Sequence, residues 1–371
     1  VDYRLGGGFA EPATVTSNQQ RLASVDALRG CTVAAMLLVN DPGDWDHVYA
    51  PLEHSLWNGC TPTDLIFPFF LSVMGVSVAL AIVPRLEQSA DRAGLCRAAL
   101  SRSLRIVALG VAINLVAWWL LPGAHLRFPG VLQRIGLCFA GTALFAIYAQ
   151  PRTWWIAIAV LLLGYWALLS AGGSLEPWSN IASRVDSAMF GSHVYLIDAA
   201  SGRVHDPEGL LGSLPSLATS LLGLCAGIWL RAGRIRSLLL ASCAGLLLAL
   251  LWSQWLPFNK NLWTSSFALW CAGWAGLALL VFHYLVDLRG WPAWGRRFGI
   301  NAIAAYAGSE LMQILLPAFG WQDPIYRYLF SGWIAPLVGP HIASLTYALA
   351  FVALWWLIVL AMDRQKIHIR L

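Results

Sequence analysis

Residues 62–83 read Pro62-Thr63-Asp64-Leu65-Ile66-Phe67-Pro68-Phe69-Phe70-Leu71-Ser72-Val73-Met74-Gly75-Val76-Ser77-Val78-Ala79-Leu80-Ala81-Ile82-Val83. After Asp64 no charged side chain interrupts the run, and its length matches a helix crossing about 30 Å of hydrocarbon. A β-barrel strand would be roughly ten residues long and alternate in polarity, so the segment decides for helices. Nine further apolar runs of similar length, at 24–41, 99–121, 131–149, 153–170, 209–231, 236–256, 262–286, 298–317 and 340–362, extend the reading to the whole chain. The composition agrees: 58% of the 371 residues are hydrophobic, 12% are charged, and the mean hydropathy is +0.64. The expected fold is an all-α polytopic membrane bundle of about ten transmembrane helices over residues 21–371, with a polar, Gly-rich, disordered segment at 1–20.

The net charge of +5 is small, and its distribution says more than its sum. Ten spans put both termini on one side. With the termini cytoplasmic, seventeen of the 24 Lys and Arg residues fall on cytoplasmic segments, including Arg85, Arg92, Arg97, Arg102, Arg105, Arg231, Arg234 and Arg236. Six fall opposite (Arg127, Arg134, Arg184, Arg203, Lys260 and Arg327), and Arg29 lies within the first helix. Nucleic acid is not implied. The seven cysteines have no metal-ligand spacing and read as small buried hydrophobes, so no metal is expected. The outer face receives the unusual loops 41–61, 122–130, 171–208, 256–261 and 318–339, the last amphipathic enough to lie in the membrane interface.

Several polar residues in or near apolar helices need a reason. Asn40 ends the first helix; it either bonds the Pro42-Gly43 turn or aims a donor at a developing oxyanion. In Glu53-His54-Ser55-Leu56-Trp57-Asn58-Gly59-Cys60-Thr61-Pro62-Thr63-Asp64, Thr61, Pro62 and Asp64 have helix-start grammar, but His54 does not. His54 is either a bonded loop residue or a neutral imidazole acting as general base. Arg127 and Arg134 flank the Pro129-Gly130 entry to the fourth helix; Arg134 is a functional candidate or a structural partner of Asp64, Glu208 or Glu310. His205-Asp206-Pro207-Glu208 reads mainly as a cap, with Glu208 as a carboxylate for a sugar. Asn259-Lys260-Asn261-Leu262-Trp263 packs more polar groups than a short loop needs, in a set that suits a pyranose ring. Asn301, Tyr306, Ser309 and Glu310 form a polar stripe in the ninth helix. The GxSxG, P-loop, HExxH and dinucleotide fingerprints are absent.

Together these strings resemble the heparan-α-glucosaminide N-acetyltransferase family. The resemblance rests on Val25 to Gly30, Leu38 to Asn40, His54 to Gly59 with Asp64 and Phe67-Pro68, Arg127 to Gly136, Asp206 to Gly212 and Pro257 to Trp263, and more weakly on Gly299 to Glu310. It implies transmembrane acetyl transfer from cytoplasmic acetyl-CoA to an amino sugar or sugar polymer on the far side of a bacterial inner membrane, by a protein that pairs as a homodimer. It places His54 on the family's catalytic histidine and Asn40 on its partner. Trp57, Asn58, Asp64, Arg127, Arg134, Glu208, Asn259, Lys260, Asn261 and Trp263 are expected to shape the acceptor site. Arg102 and Arg105, by charge, and Asn301 are assigned to the CoA. The competing readings are an amino-sugar transporter without acylation and a non-catalytic scaffold.

Overall fold

The computed structural model describes residues 22–88 and 91–369; the lead segment 1–20 and Arg21 and Arg370 of the charge pattern lie outside them. The helices are α1 (Ala23–Asn40), α2 (Ile66–Ala81), α3 (Val83–Gln88), α4 (Arg92–Leu120), α5 (Val131–Tyr148), α6 (Pro151–Ala171), α7 (Ile181–Phe190) and α8 (Ser213–Arg231). They continue with α9 (Ile235–Trp252), α10 (Ser265–Phe282), α11 (Arg296–Ile300), α12 (Ala302–Ala318), α13 (Gln322–Tyr326), α14 (Gly332–Val338) and α15 (Pro340–Arg364). Two two-residue strands, β1 (Leu196–Ile197) and β2 (Val204–His205), pair antiparallel in the loop before α8.

Among the described residues, nine helices are long and apolar enough to cross a membrane, which makes the chain an all-α, multi-pass membrane protein. The expected ninth span is α12, shortened to 17 residues and followed by α13 and α14, whose common course turns 97° away. That turn lays exposed Trp321, Tyr328, Trp333 and Leu337 across the end of the bundle. Helix α4 starts seven residues before the expected 99, because the Asp91 carboxylate accepts from the Gly94 amide at 2.7 Å and starts the helix amid its arginines.

Small residues let the central helices touch. A Cβ on Gly75 would lie 2.0 Å from the Ser220 carbonyl, and one on Gly223 would lie 2.0 Å from the Ser72 carbonyl, so α2 and α8 meet backbone to backbone. The Val25 to Gly30 string does the same for α1 and α11. Arg29 Nε donates to the Gly299 carbonyl at 2.8 Å, its Nη1 reaches Ser77, and its Nη2 pairs with Asp26. A Cβ on Gly30 would lie 1.8 Å from the Gly295 carbonyl.

Hydrogen bonds gather the loops at two ends. At one, Gly59 N donates to Phe258 O at 2.7 Å, Phe128 N to His193 O at 3.1 Å, and Gly43 N to Ser344 O at 3.3 Å. At the other, Arg231 pairs with Glu87, and Asp287 caps α1 by accepting from the Ser24 amide at 3.1 Å. The first end carries the polar strings singled out above.

Candidate active site

His54 lies in a loop built from two single-turn 3-10 helices, Trp45–His47 and Ala50–Leu52, and a third, Thr63–Leu65, that leads into α2. Asp64 in that third turn is fully buried. Its Oδ1 accepts from His54 Nδ1 at 2.7 Å, while its Oδ2 accepts from Ser55 N at 3.1 Å and Thr61 N at 2.9 Å. A carboxylate offers only acceptors, so the imidazole proton sits on Nδ1 and the lone pair of Nε2 is presented outward. Asp64, expected at the acceptor surface, thus has no exposed surface and bonds the imidazole and two loop amides.

The loop 257–264 supplies the partner on the other side of the ring. Lys260 Nζ lies 3.0 Å from His54 Nε2 and 3.2 Å from Nδ1. The loop is tied tightly: Asn259 N donates to Thr264 Oγ1 at 3.1 Å, Leu262 N to Asn259 Oδ1 at 2.8 Å, and Asn259 Nδ2 to Asn58 Oδ1 at 3.1 Å. Trp263 holds a left-handed backbone at φ +52° and is buried against Phe67 and Phe267. Asn259 and Trp263, expected at the acceptor, are both closed off from solvent and form the loop's frame instead. An amide and an indole look alike in sequence whether they line a pocket or fill a core. Asn58 stays exposed as the clamp between the two loops, and Asn261 is half-buried beside Lys260. Burial pushes Lys260 below the usual lysine range, against the pull of Glu208 and Asp64.

Next to Lys260 stands an ion cluster from the loops before α5 and α8. Arg127 Nε and Nη2 hold Asp206 at 2.8 and 2.5 Å, and Nη2 also reaches Glu208 at 2.5 Å. The guanidinium lies 4.7 Å from the Tyr195 ring centre. Burial would raise Glu208, but Arg127, Arg134 and Lys260 outweigh it and hold the carboxylate below its usual range. The helix-start reading of Asp206 is corrected: α8 begins at Ser213, and Asp206 spends its oxygens on Arg127, Tyr195 N and Glu208 N. Arg134 is buried in the first turn of α5, and Nη2 donates to the Gly209 carbonyl at 3.0 Å. It forms no ion pair with Asp64, Glu208 or Glu310 among the described residues, and its Nε and Nη1 lack partners there. Trp57 donates to the Leu175 carbonyl at 2.9 Å and meets the buried His205 edge-on.

Asn40 faces another way. Its Nδ2 donates to Glu310 Oε1 of α12 at 3.4 Å, and no hydrogen bond joins it to His54. Glu310 lies within electrostatic reach of Arg127 and Glu208, which sets Asn40 and Glu310 at the same end of the bundle as the ion cluster. Asp41 was missed as a site candidate. It is buried, its Oδ2 has no partner, and burial, followed by repulsion from Glu310, pushes it up to about 7. An acid directly after Asn40 at a helix end was the available signal, masked by the turn grammar of Pro42-Gly43.

The residues assigned to CoA lie elsewhere. Arg102 and Arg105 are exposed in the first half of α4, with the Arg102 guanidinium 5.0 Å from the Phe139 ring centre. Asn301, expected at the CoA, is fully buried: its Nδ2 donates to the Ile367 carbonyl at 3.3 Å, and its Oδ1 accepts from Ile369 N at 3.2 Å. Both ends of its amide pin the tail after α15.

Comparison with known proteins gives a concordant set of matches. The model of the family described as heparan-alpha-glucosaminide N-acetyltransferase, catalytic, matches residues 21–242. The heparan-alpha-glucosaminide N-acetyltransferase of Homo sapiens is 29% identical over an alignment covering 97% of this chain and 62% of the human protein. That of Mus musculus is 28% identical, over 84% of this chain and 56% of the mouse protein. The chain thus spans roughly three fifths of the length of these relatives. The matched residues run from α1 into α9 and include His54, Asp64, Arg127 and Glu208, so the chain belongs to the heparan-alpha-glucosaminide N-acetyltransferase catalytic family.

Proposed function

We propose that the protein is a transmembrane acetyltransferase that moves the acetyl group of acetyl-CoA onto the amine of a glucosamine-type sugar, at the end of the bundle that carries His54. The observation that carries this reading is the Asp64–His54 pair: a buried carboxylate fixes Nδ1 at 2.7 Å and leaves Nε2 with a lone pair, Lys260 standing 3.0 Å away. The relatives' names supply the substrate class, and the arginine bias supports cytoplasmic termini with the acceptor side across the membrane, which in a bacterial inner membrane is the periplasm.

The acceptor amine approaches in its neutral form, with Glu208 as its anchor. Arg127 occupies Glu208 Oε2 and leaves Oε1 for a sugar amine or hydroxyl. As the nitrogen attacks the thioester carbon, a C–N bond forms and His54 Nε2 takes the proton from nitrogen. The intermediate then collapses, the C–S bond breaks, and the imidazolium returns the proton to the CoA sulfur. Asp64 steadies the imidazolium through Nδ1. Asn40 stays on Glu310 as part of the wall. Acetyl-CoA reaches this end through the bundle from the side of Arg102 and Arg105, which are free to meet its phosphates.

The test is release of free CoA thiol by the detergent-purified protein with acetyl-CoA and a panel of hexosamines, with H54A as control. Acceptor-dependent release that vanishes in H54A supports the reading. Acceptor binding without release refutes it and favours carriage of the sugar without chemistry.

A further inference from the structure

An acyl transfer through a tetrahedral intermediate needs a hydrogen-bond donor or cation where the carbonyl oxygen becomes an oxyanion. Asn40 was the amide expected there, but it donates to Glu310 and makes no bond to the base. The cations of the site differ in what they have left to give. Arg127 holds Asp206 and Glu208 through Nε and Nη2, Arg134 gives Nη2 to the Gly209 carbonyl from the first turn of α5, and among the described residues no hydrogen bond joins either guanidinium to His54. Lys260 forms no ion pair within 4.0 Å among the described residues, and its Nζ lies 3.0 Å from the imidazole of His54.

From this placement we infer that Lys260 is a catalytic donor that receives the oxyanion; the inference rests on the acetyltransferase reading above. The ammonium lies 3.0 Å from Nε2 and 3.2 Å from Nδ1, against the face of the ring, which leaves the in-plane lone pair of Nε2 open. When the amine reaches Nε2, that lone pair is claimed by the proton of the attacking nitrogen. The ammonium beside the ring donates to the carbonyl oxygen, which gains the electron pair of the C=O π bond. As the C–S bond breaks, the pair returns to carbonyl, and the ammonium returns to the imidazole. Lys260 gives up no proton at any step, so the balance of the reaction is unchanged.

The surrounding loop serves this role. Its amides and hydroxyls are spent on fixing the backbone, through Asn259, Thr264 and the clamp to Asn58 and Gly59 on the His54 loop. The left-handed Trp263, at φ +52°, is held in place by burial against Phe67 and Phe267, with its Nε1 on Thr219 at 3.2 Å. The cation is thereby set before substrate arrives, the arrangement that makes electrostatic stabilisation of a transition state effective.

The experiment compares wild type, H54A, K260M and K260R in steady-state CoA release, with separate variation of acetyl-CoA and hexosamine. Thermal stabilisation by acetyl-CoA reports that each variant is folded and binds donor. A lost oxyanion donor lowers kcat by about 100- to 1000-fold with both KM values nearly unchanged. K260R keeps a cation and recovers part of the rate. Wild-type kcat in K260M, or a loss confined to KM for the hexosamine, overturns the assignment and leaves the acetyltransferase reading standing. Absence of turnover in wild type overturns both. Should K260M fail to fold, K260R decides alone: a kcat below one tenth of wild type with unchanged KM supports the role, and an unchanged kcat with a raised hexosamine KM refutes it.

Discussion

Replacing Asp64 by Asn tests the tautomer argument directly. Two backbone amides, Ser55 N and Thr61 N, converge on Oδ2, while His54 Nδ1 meets Oδ1 at 2.7 Å. The carboxamide must therefore keep its oxygen at the Oδ2 position and place its NH2 where Oδ1 was, facing His54. The amide then donates to Nδ1, the imidazole proton moves to Nε2, and the lone pair that accepts the acceptor's proton is gone. In Asp-His-nucleophile systems this exchange of tautomer costs about 10⁴ in kcat, which at about 1.4 kcal/mol per decade is roughly 5 kcal/mol of transition-state stabilisation. Since Lys260 and Glu208 remain, D64N should lose about 10³- to 10⁴-fold in acceptor-dependent CoA release. The loop amides stay satisfied, so its melting temperature and both KM values should hold. A D64N rate within threefold of wild type would refute the orientation of His54 by Asp64, and with it the case for Nε2 as the base.

R127K should unfold at a markedly lower temperature in detergent, because a single ammonium cannot hold both oxygens of Asp206 and reach Glu208; a broken buried pair costs about 3–5 kcal/mol, and an unchanged melt would contradict the cluster's role. Two buried groups of the outer loops give opposing pH dependences. Asp186, pushed up to about 6 by burial, keeps its proton in the fold after the unfolded chain has lost it, so its stabilisation is complete below about pH 4 and is lost as pH rises to 6. His205, pushed down to about 4 by burial, costs stability as pH falls from about 6.5 to 4, because only the unfolded chain takes up the proton. Each effect amounts to about 3 kcal/mol at most. D186N should therefore melt progressively earlier between pH 6.5 and 4, H205Q progressively later, and wild type should stay flatter than either; parallel slopes in all three would contradict the assignment. G30A should fail to yield folded protein, or melt much earlier by the same assay, since its Cβ would lie 1.8 Å from the Gly295 carbonyl and force α1 off α11.

The membrane spans were legible because hydropathy is a local sum over about twenty residues, and no distant contact reverses it. Their ends were less so. Helix α4 gained its first turns from a cap at Asp91 that a charge-averse reading discards. The site was legible as residue types but not as partners. His54 stood out as a histidine without a structural excuse, and Asp64 lay ten residues away in the same string, yet only the fold of three consecutive 3-10 turns brings the two together. Lys260 reaches the same ring from 206 residues away. Asp206-Pro207-Glu208 shows how local grammar misleads: it has the pattern of a helix start, but Arg127 in another loop offers a bidentate partner and takes the carboxylate out of any cap. Asn301 misled for the same reason, since its two tail contacts come from residues beyond α15.

The charges at the His54 end form a nearly balanced set, and that balance constrains the chemistry. Asp64, Asp206 and Glu208 face Arg127, Arg134 and Lys260 across a few loop segments, with Glu310 within reach of Arg127 and Asp41 next to Glu310, pushed up to about 7 and so only part-ionised near neutral pH. A buried site with a large net charge would unfold or draw in counterions; a balanced one can stay dry enough for its dipoles to act at full strength. Two of the cations are set against fixed partners, a carboxylate pair for Arg127 and a carbonyl for one nitrogen of Arg134, and these hold the loops in register. The third rests on a neutral ring, the weakest partner present, and is the one that new negative charge can recruit. A site arranged this way gains little by binding an ammonium ion, for which the carboxylates are already matched. It gains most when a neutral amine attacks and negative charge appears on oxygen. A cation set against the base rather than against a carboxylate is thus what separates a site built for the transition state from one built to carry a charged sugar.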